Sequence, residues 1–141
     1  MHRNTASLPL MLKQLRLATV GTLWESVADK ATKEQWSPQQ YLAELCHQEL
    51  LAREDKRLAR NLKDATLPIG KHLNNFDFMA VDGINQATTY DLLQDKTWLT
   101  RGANLLLFGA SGLGKTHLAS ALGYGLLEQG YKVKFIQATT L

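Results

Sequence analysis

Cysteine is almost missing from this 141-residue chain, with Cys46 standing alone. One thiol can form no internal disulfide and no cysteine metal cluster. Cys46 is therefore expected as a small buried apolar residue rather than a reactive thiol. Long hydrophobic runs are lacking too. No stretch approaches the roughly 18 apolar residues that a membrane-spanning helix needs. Leu8 to Leu17 is interrupted by Pro9, Lys13, Gln14 and Arg16. That is too polar for a signal-peptide core, and Met1 to Thr5 is basic and polar, so a cytoplasmic location is expected. The net charge of +3 is mild; it permits a nucleic-acid partner without arguing for one. No internal repeat or low-complexity segment occurs. The length suits one ordinary domain or two small pieces.

What is present changes character near Ala65. Leu8, Leu12 and Leu15 recur at helical spacing beside Met11, and Leu23, Val27, Ala28 and Ala31 mark a second helical stretch. Gly21 is the expected break between the two. Ser37, Pro38 and Gln40 read as an N-cap, a first-turn proline and a capping box. They open a third helix that runs to about Asp64, with Tyr41, Leu42, Leu45, Leu51, Leu58 and Leu62 as expected buried positions. Pro68, Gly70, Asn74 and Asn75 then discourage helix, while Phe76, Phe78, Met79 and Val81 suggest a connector that packs against something. Asn85 is placed to cap a short helix through Leu93, and Asp95 another around Trp98 and Leu99. The organisation read from this is a helical region over 1–65, a connector over 66–84 and a different kind of domain over 85–141.

That last region begins with an apolar run, Leu105 to Phe108, ahead of a glycine-rich turn, which fits a buried parallel strand. Thr116 to Gln129 reads as a helix with Leu118, Ala119, Leu122, Leu126 and Leu127 on or near one face, and Gly130 as its stop. Lys132 to Ile136 alternates as a second strand. Strand, glycine loop, helix and strand make a βαβ unit, so the fold class expected is α/β.

The loop reads Gly109-Ala110-Ser111-Gly112-Leu113-Gly114-Lys115-Thr116 and matches G-x-x-x-x-G-K-S/T at every fixed position. Glycines let the main chain adopt conformations closed to other residues and approach phosphates closely. The turn aims several N–H groups into one concavity, and the following helix adds its N-terminal partial charge. Lys115 is expected to reach β- and γ-phosphates and the Thr116 hydroxyl to sit on Mg²⁺. Ser111 and Gly112 are expected to add main-chain contacts. A chance match in a chain this long has a probability under roughly one per cent at average residue frequencies. The site therefore points to ATP with Mg²⁺. His117, directly after the motif, belongs to the same stretch and is read as a packing or hydrogen-bonding residue rather than a catalyst.

Gly109 to Ala119 (GASGLGKTHLA) resembles the Walker A segment of the helicase-loader branch of AAA+ ATPases. Leu12 to Leu17 (LKQLRL), Tyr41 to Arg53 (YLAELCHQELLAR), Arg57 to Pro68 (RLARNLKDATLP), Asn75 to Phe78 (NFDF) and Trp98 to Leu107 (WLTRGANLLL) resemble the IstB-like helper ATPases of bacterial insertion sequences. The resemblance spans nearly the whole chain. It implies a helical N-terminal region joined to an AAA+ domain, and an ATP-dependent homo-oligomer on DNA that delivers target sites to a transposase. A full AAA+ core has five parallel strands, and only two are legible here. No apolar strand ending in paired acidic residues follows, so the Walker B element, sensor residues and arginine finger are not found. The expectation is an incomplete AAA+ domain, the N-terminal part of a longer ATPase or a truncated product, that binds ATP without efficient hydrolysis. Its C-terminal half is expected to be marginal or partner-dependent, because strand edges and apolar surface stay uncovered.

Arg53, Lys56, Arg57, Arg60 and Lys63 recur at three- and four-residue spacing along one face of the third helix. Such a face can neutralise DNA phosphates without reading sequence, or it can be a solvated face paired with Glu49, Glu54, Asp55 and Asp64. Two other readings stand beside the transposition helper. One is a replicative helicase loader, whose helical region would bind a helicase. The other is a non-enzymatic DNA- or protein-binding module with an inactive P-loop.

Overall fold

The computed structural model describes residues 5–141. The basic and polar start, Met1 to Asn4, lies outside the described residues. The helices are α1 (Leu8–Gln14), α2 (Ala18–Lys33), α3 (Pro38–Ala65), α4 (Gln86–Gln94), α5 (Thr97–Thr100) and α6 (Lys115–Glu128). Two compact units divide inside α3, one up to Arg57 and one over Leu58–Leu141. None of the helices is long and apolar enough to cross a membrane.

In the first unit α1 and α2 are separated at Arg16, which takes a left-handed φ of 57°. Gly21, the expected break, lies inside α2 instead. Leu12, Val20 and Leu45 form the core, with Leu8, Leu17, Leu23, Trp24, Val27 and Tyr41 packed around them. The Tyr41 hydroxyl donates to the Trp24 carbonyl at 2.9 Å, and burial raises its pKa. The capping box forms as read: Ser37 N donates to Gln40 Oε1 at 2.7 Å, and Gln40 N to Ser37 Oγ at 3.2 Å. Several apolar positions of α3 expected inside are exposed, among them Leu42, Leu51 and Leu62. Cys46 is exposed as well, because it follows the buried Leu45 on α3 and one helical step carries it off the core.

Glu49 is a buried carboxylate that periodicity did not predict. It accepts from the Thr19 and Val20 N–H groups at 2.9 and 3.0 Å. These belong to the first turn of α2, which has no side-chain cap of its own. Arg53 Nε pairs with its other oxygen at 3.1 Å. Burial alone pushes the Glu49 pKa up. The hydrogen bonds from Val20, Arg53 and Thr19, with the Arg53 charge, outweigh that and hold it below its ordinary value.

The second unit is built on α6. Leu118, Ser120, Ala121, Leu122, Gly123, Leu126 and Leu127 are all buried, while Ala119 is exposed. Leu127 packs with Ala65 and Leu67, near Leu58, Tyr124, Val133 and Phe135. Leu122 and Leu126 pack with Leu93, near Leu73, Leu92, Trp98, Leu99 and Val133. α6 ends where Gly130, at φ 91°, lets Tyr131 N reach back to the Leu126 carbonyl at 3.0 Å. Asn85 caps α4 by accepting from Thr88 N at 2.7 Å. Asp95 accepts from Thr97 N at 3.0 Å, and that bond holds its pKa down.

The two predicted strands carry no regular secondary structure. Among the described residues no strand ladder forms. Leu105 and Leu107 line an open cavity of about 420 Å³ with Leu118 and Leu122, and Leu106 and Phe108 stay exposed. In the other segment Val133 and Phe135 alternate inward as read. Phe135 N donates to the Ala65 carbonyl at 2.8 Å rather than to a neighbouring strand. Val133 and Phe135 pack against leucines of α6, and among the described residues no main-chain hydrogen bond joins the two segments. The architecture observed is therefore mainly helical, in place of the incomplete parallel sheet expected. An apolar run specifies an extended segment ready for burial, but a ladder also needs a partner at about 4.8 Å.

Because the Glu49 pKa is lowered on folding, its stabilisation is present above the ordinary value of 4.5 and is lost as pH falls through the lower folded value. Glu49→Ala is expected to lower stability at pH 7 by about 1–3 kcal/mol. The gap to wild type should narrow below pH 4.5. Urea midpoints across that range test this, and equal midpoints at pH 7 would contradict it.

Candidate phosphate-binding site

The glycine loop runs directly into α6. Gly114 is the residue before the helix, and no side chain caps it. The first N–H groups of a helix have no partner within it, so this end offers main-chain donors and positive potential to an anion. Gly112 and Gly114 take φ values of 82° and 84°, a left-handed conformation that only glycine adopts without strain. Ala110 to Gly112 are exposed. Leu113 closes over Gly109, its Cδ1 lying 3.3 Å from where a Cβ would stand.

Lys115 is folded back onto the loop. Its Nζ donates to the Gly109 carbonyl at 2.7 Å and the Ala110 carbonyl at 2.6 Å. The ammonium is thus stored within the loop on two neutral acceptors, which phosphate oxygens would outcompete as charged ones. Thr116 is exposed at the head of the helix. The residues present fit a nucleotide's phosphates: uncapped main-chain donors, a lysine within the same turn and a hydroxyl next to it.

His117 is engaged elsewhere. Its Nε2 lies 2.9 Å from both the His72 carbonyl and Asn75 Oδ1. Phe76 meets the His117 ring edge-on, with centroids 5.2 Å apart. Its Cε2 sits 3.1 Å from where a Cβ on Gly114 would be. Asn75 and Phe76 therefore belong to the surroundings of the loop, although residue types gave no sign of it; only the NFDF resemblance touched them. Met79, expected to pack, is 95% exposed.

The basic face of α3 is split in its partners. Arg53 is held by Glu49 and by the Arg16 carbonyl at 2.9 Å, and Arg57 by Glu54 at 2.8 Å. Lys56, Arg60 and Lys63 are exposed and make no ion pair among the described residues. Lys134 Nζ donates to the Asp64 carbonyl at 2.9 Å beside them.

Comparison with known proteins gives the loop a context. The family described as IstB-like ATP binding protein matches residues 10–141. The chain belongs to the IstB-like family. It is 42% identical over 138 residues to an insertion sequence ATP-binding protein of Sinorhizobium fredii, covering 98% of this chain and 46% of that one. It is 32% identical over 129 residues to the ATP-binding protein of insertion sequence IS21 from Pseudomonas aeruginosa, covering 92% and 48%. It is 30% identical over 128 residues to the ATP-binding protein of insertion sequence IS5376 from Geobacillus stearothermophilus, covering 91% and 51%. The IstB-like chain thus spans about half the length of these curated relatives.

Gly114→Ala combines a strained φ with a contact against the Phe76 ring. It is expected to weaken nucleotide binding at least tenfold while α6 persists. Nucleotide titration alongside far-ultraviolet circular dichroism checks this, and undiminished affinity would refute it.

Proposed function

We propose that this IstB-like chain binds ATP with Mg²⁺ at Gly109 to His117 and serves as the nucleotide-binding part of a helper of DNA transposition. The observation that carries the reading is the uncapped start of α6, joined to a glycine loop on which Lys115 is already folded. Gly112 and Gly114 turn main-chain N–H groups to the phosphates. Lys115 Nζ would exchange the Gly109 and Ala110 carbonyls for phosphate oxygens when nucleotide is bound. The Thr116 hydroxyl would be the residue of this loop that holds Mg²⁺. Bound Mg²⁺ neutralises charge on the phosphates. The insertion-sequence names of the relatives support a transposase as partner; a homo-oligomer on DNA and a cytoplasmic location are part of the same proposal.

The segments 103–110 and 131–137 are proposed members of a parallel P-loop sheet, their open main-chain groups available to a further strand. The 141 residues contain no apolar strand ending in paired acids. Assayed alone they are expected to bind ATP without sustained turnover, since hydrolysis also requires acidic support of Mg²⁺ and a positioned water. Calorimetry should detect Mg²⁺-dependent ATP binding, weakened more than tenfold by Lys115→Ala. A folded wild-type chain that ignores ATP would overturn the reading.

The basic face of α3 is proposed to meet DNA phosphates through Lys56, Arg57, Arg60 and Lys63, with Arg53 at its end. Lys56, Arg60 and Lys63 are exposed and make no ion pair among the described residues. In Arg60→Ala/Lys63→Ala, the slope of log affinity against log salt for duplex DNA is expected to fall by nearly two, at about 0.9 per contact. An unchanged slope would remove this face from the DNA interface.

A further inference from the structure

We infer that His117 is a positioning residue that locks the connector, Gly70 to Phe78, onto the first turn of α6 and thereby couples connector docking to nucleotide binding. The inference rests on the proposed ATP site but concerns residues outside the G-x-x-x-x-G-K-T signature.

The latch is specified at each atom. Asn75 Oδ1 accepts from His72 N at 3.0 Å, and its Nδ2 donates to the Gly70 carbonyl at 2.7 Å. Reversing the carboxamide would lose both bonds, so the oxygen faces His117. His117 Nε2 then confronts two acceptors, Asn75 Oδ1 and the His72 carbonyl, each at 2.9 Å. Only a ring carrying its proton on Nε2 satisfies both. One N–H therefore ties the connector's main chain and side chain to the residue after Thr116.

Two further contacts give the latch direction. Phe76 is buried and rests over Gly114, the residue from which α6 starts, with Phe78 edge-on behind it at 4.8 Å between centroids. Seven residues along α6, Tyr124 lies 4.2 Å from the His72 ring and donates to the Pro68 carbonyl at 3.1 Å. The connector is thus held to one helix at two places about two turns apart. The tie near Gly114 is the one next to the phosphate donors. Undocking it would leave Gly114 and the first turn of α6 without the Phe76 cover. The two equilibria share this turn, and coupling between them must act equally in both directions.

The test uses the 141-residue chain, Mg²⁺-ATP calorimetry and hydrogen exchange of the segment 70–79. In wild type, Mg²⁺-ATP is expected to slow exchange of that segment. His117→Leu should weaken ATP binding about three- to tenfold and abolish the nucleotide-dependent slowing. His117→Gln, whose amide reaches the position of Nε2, should restore both. Asn75→Leu cuts the same latch from the connector and serves if His117→Leu fails to fold. In the double variant the effects should not add. If wild type binds ATP but His117→Leu and Asn75→Leu keep its affinity and the nucleotide-dependent slowing, the latch is wrong while the ATP site stands. If Gln fails to restore what Leu removes in a folded chain, the hydrogen bond is not the coupling element. A wild type that binds no ATP overturns the site and the latch together.

Discussion

Helix α6 meets opposing demands at its two ends. Its later turns are buried on most of their circumference, so that Leu122, Leu126 and Leu127 anchor two apolar clusters. Its first turn must do the reverse and leave main-chain donors uncovered. A serine or aspartate cap would satisfy those donors and fill the anion site. Gly114 avoids this by starting the helix without a side chain. The cost of leaving that end uncapped is met by packing further along, where burial of several leucines contributes about 1.5–3 kcal/mol each. Gly123 assists: a Cβ there would stand 3.0 Å from Leu67 Cδ2 and 3.3 Å from Val133 Cγ1. Its absence lets the connector and the second extended segment lie close against the helix.

The first unit solves a similar problem with a charge. Its apolar core is small, and beside it lies an open groove of about 490 Å³ lined by Leu12, Trp24, Leu42 and Leu50 among others. Glu49 fixes the start of α2 against α3 through two N–H groups and one arginine. A buried carboxylate with an acceptor geometry this complete specifies one register of the two helices, which apolar contacts alone would specify less sharply. The burial of Glu49 is thus the reason Arg53 is less available to a phosphate than Arg60 or Lys63, which pair with no acid among the described residues.

Local chemistry was legible in the sequence wherever one residue type does one job. Ser37, Pro38 and Gln40 form their box, Asn85 caps its helix, Gly130 ends α6, and Val133 and Phe135 alternate as written. Interactions that join distant segments were not legible. Glu49 looked like a solvated acid because nothing in its neighbours in sequence reveals that α2 begins beside it. Leu42, Leu51 and Leu62 looked buried because the spacing gives a face of α3 but not which part of that face finds a partner. Arg16 broke a helix in place of Gly21, since a left-handed residue is favoured by glycine but not confined to it. The apolar run at 105–108 reads as a strand yet enters no ladder among the described residues, because pairing depends on main-chain groups that no residue type encodes.

The connector shows why a directional bond matters next to such a loop. Apolar contacts such as Phe76 on Gly114 tolerate sliding, because they depend on buried area and little on angle. A single N–H held between two acceptors does not tolerate it, since hydrogen bonds weaken steeply with misalignment. His117 therefore sets the register of the connector against α6 more sharply than the phenylalanines can. That register continues through Pro68 and Leu67 to Ala65, the last residue of α3, whose carbonyl takes the Phe135 N–H. Pro68, Leu67 and Ala65 are each held in turn, by the Tyr124 hydroxyl, by Leu127 and by the Phe135 N–H, so the chain leaves α3 along a fixed course against α6.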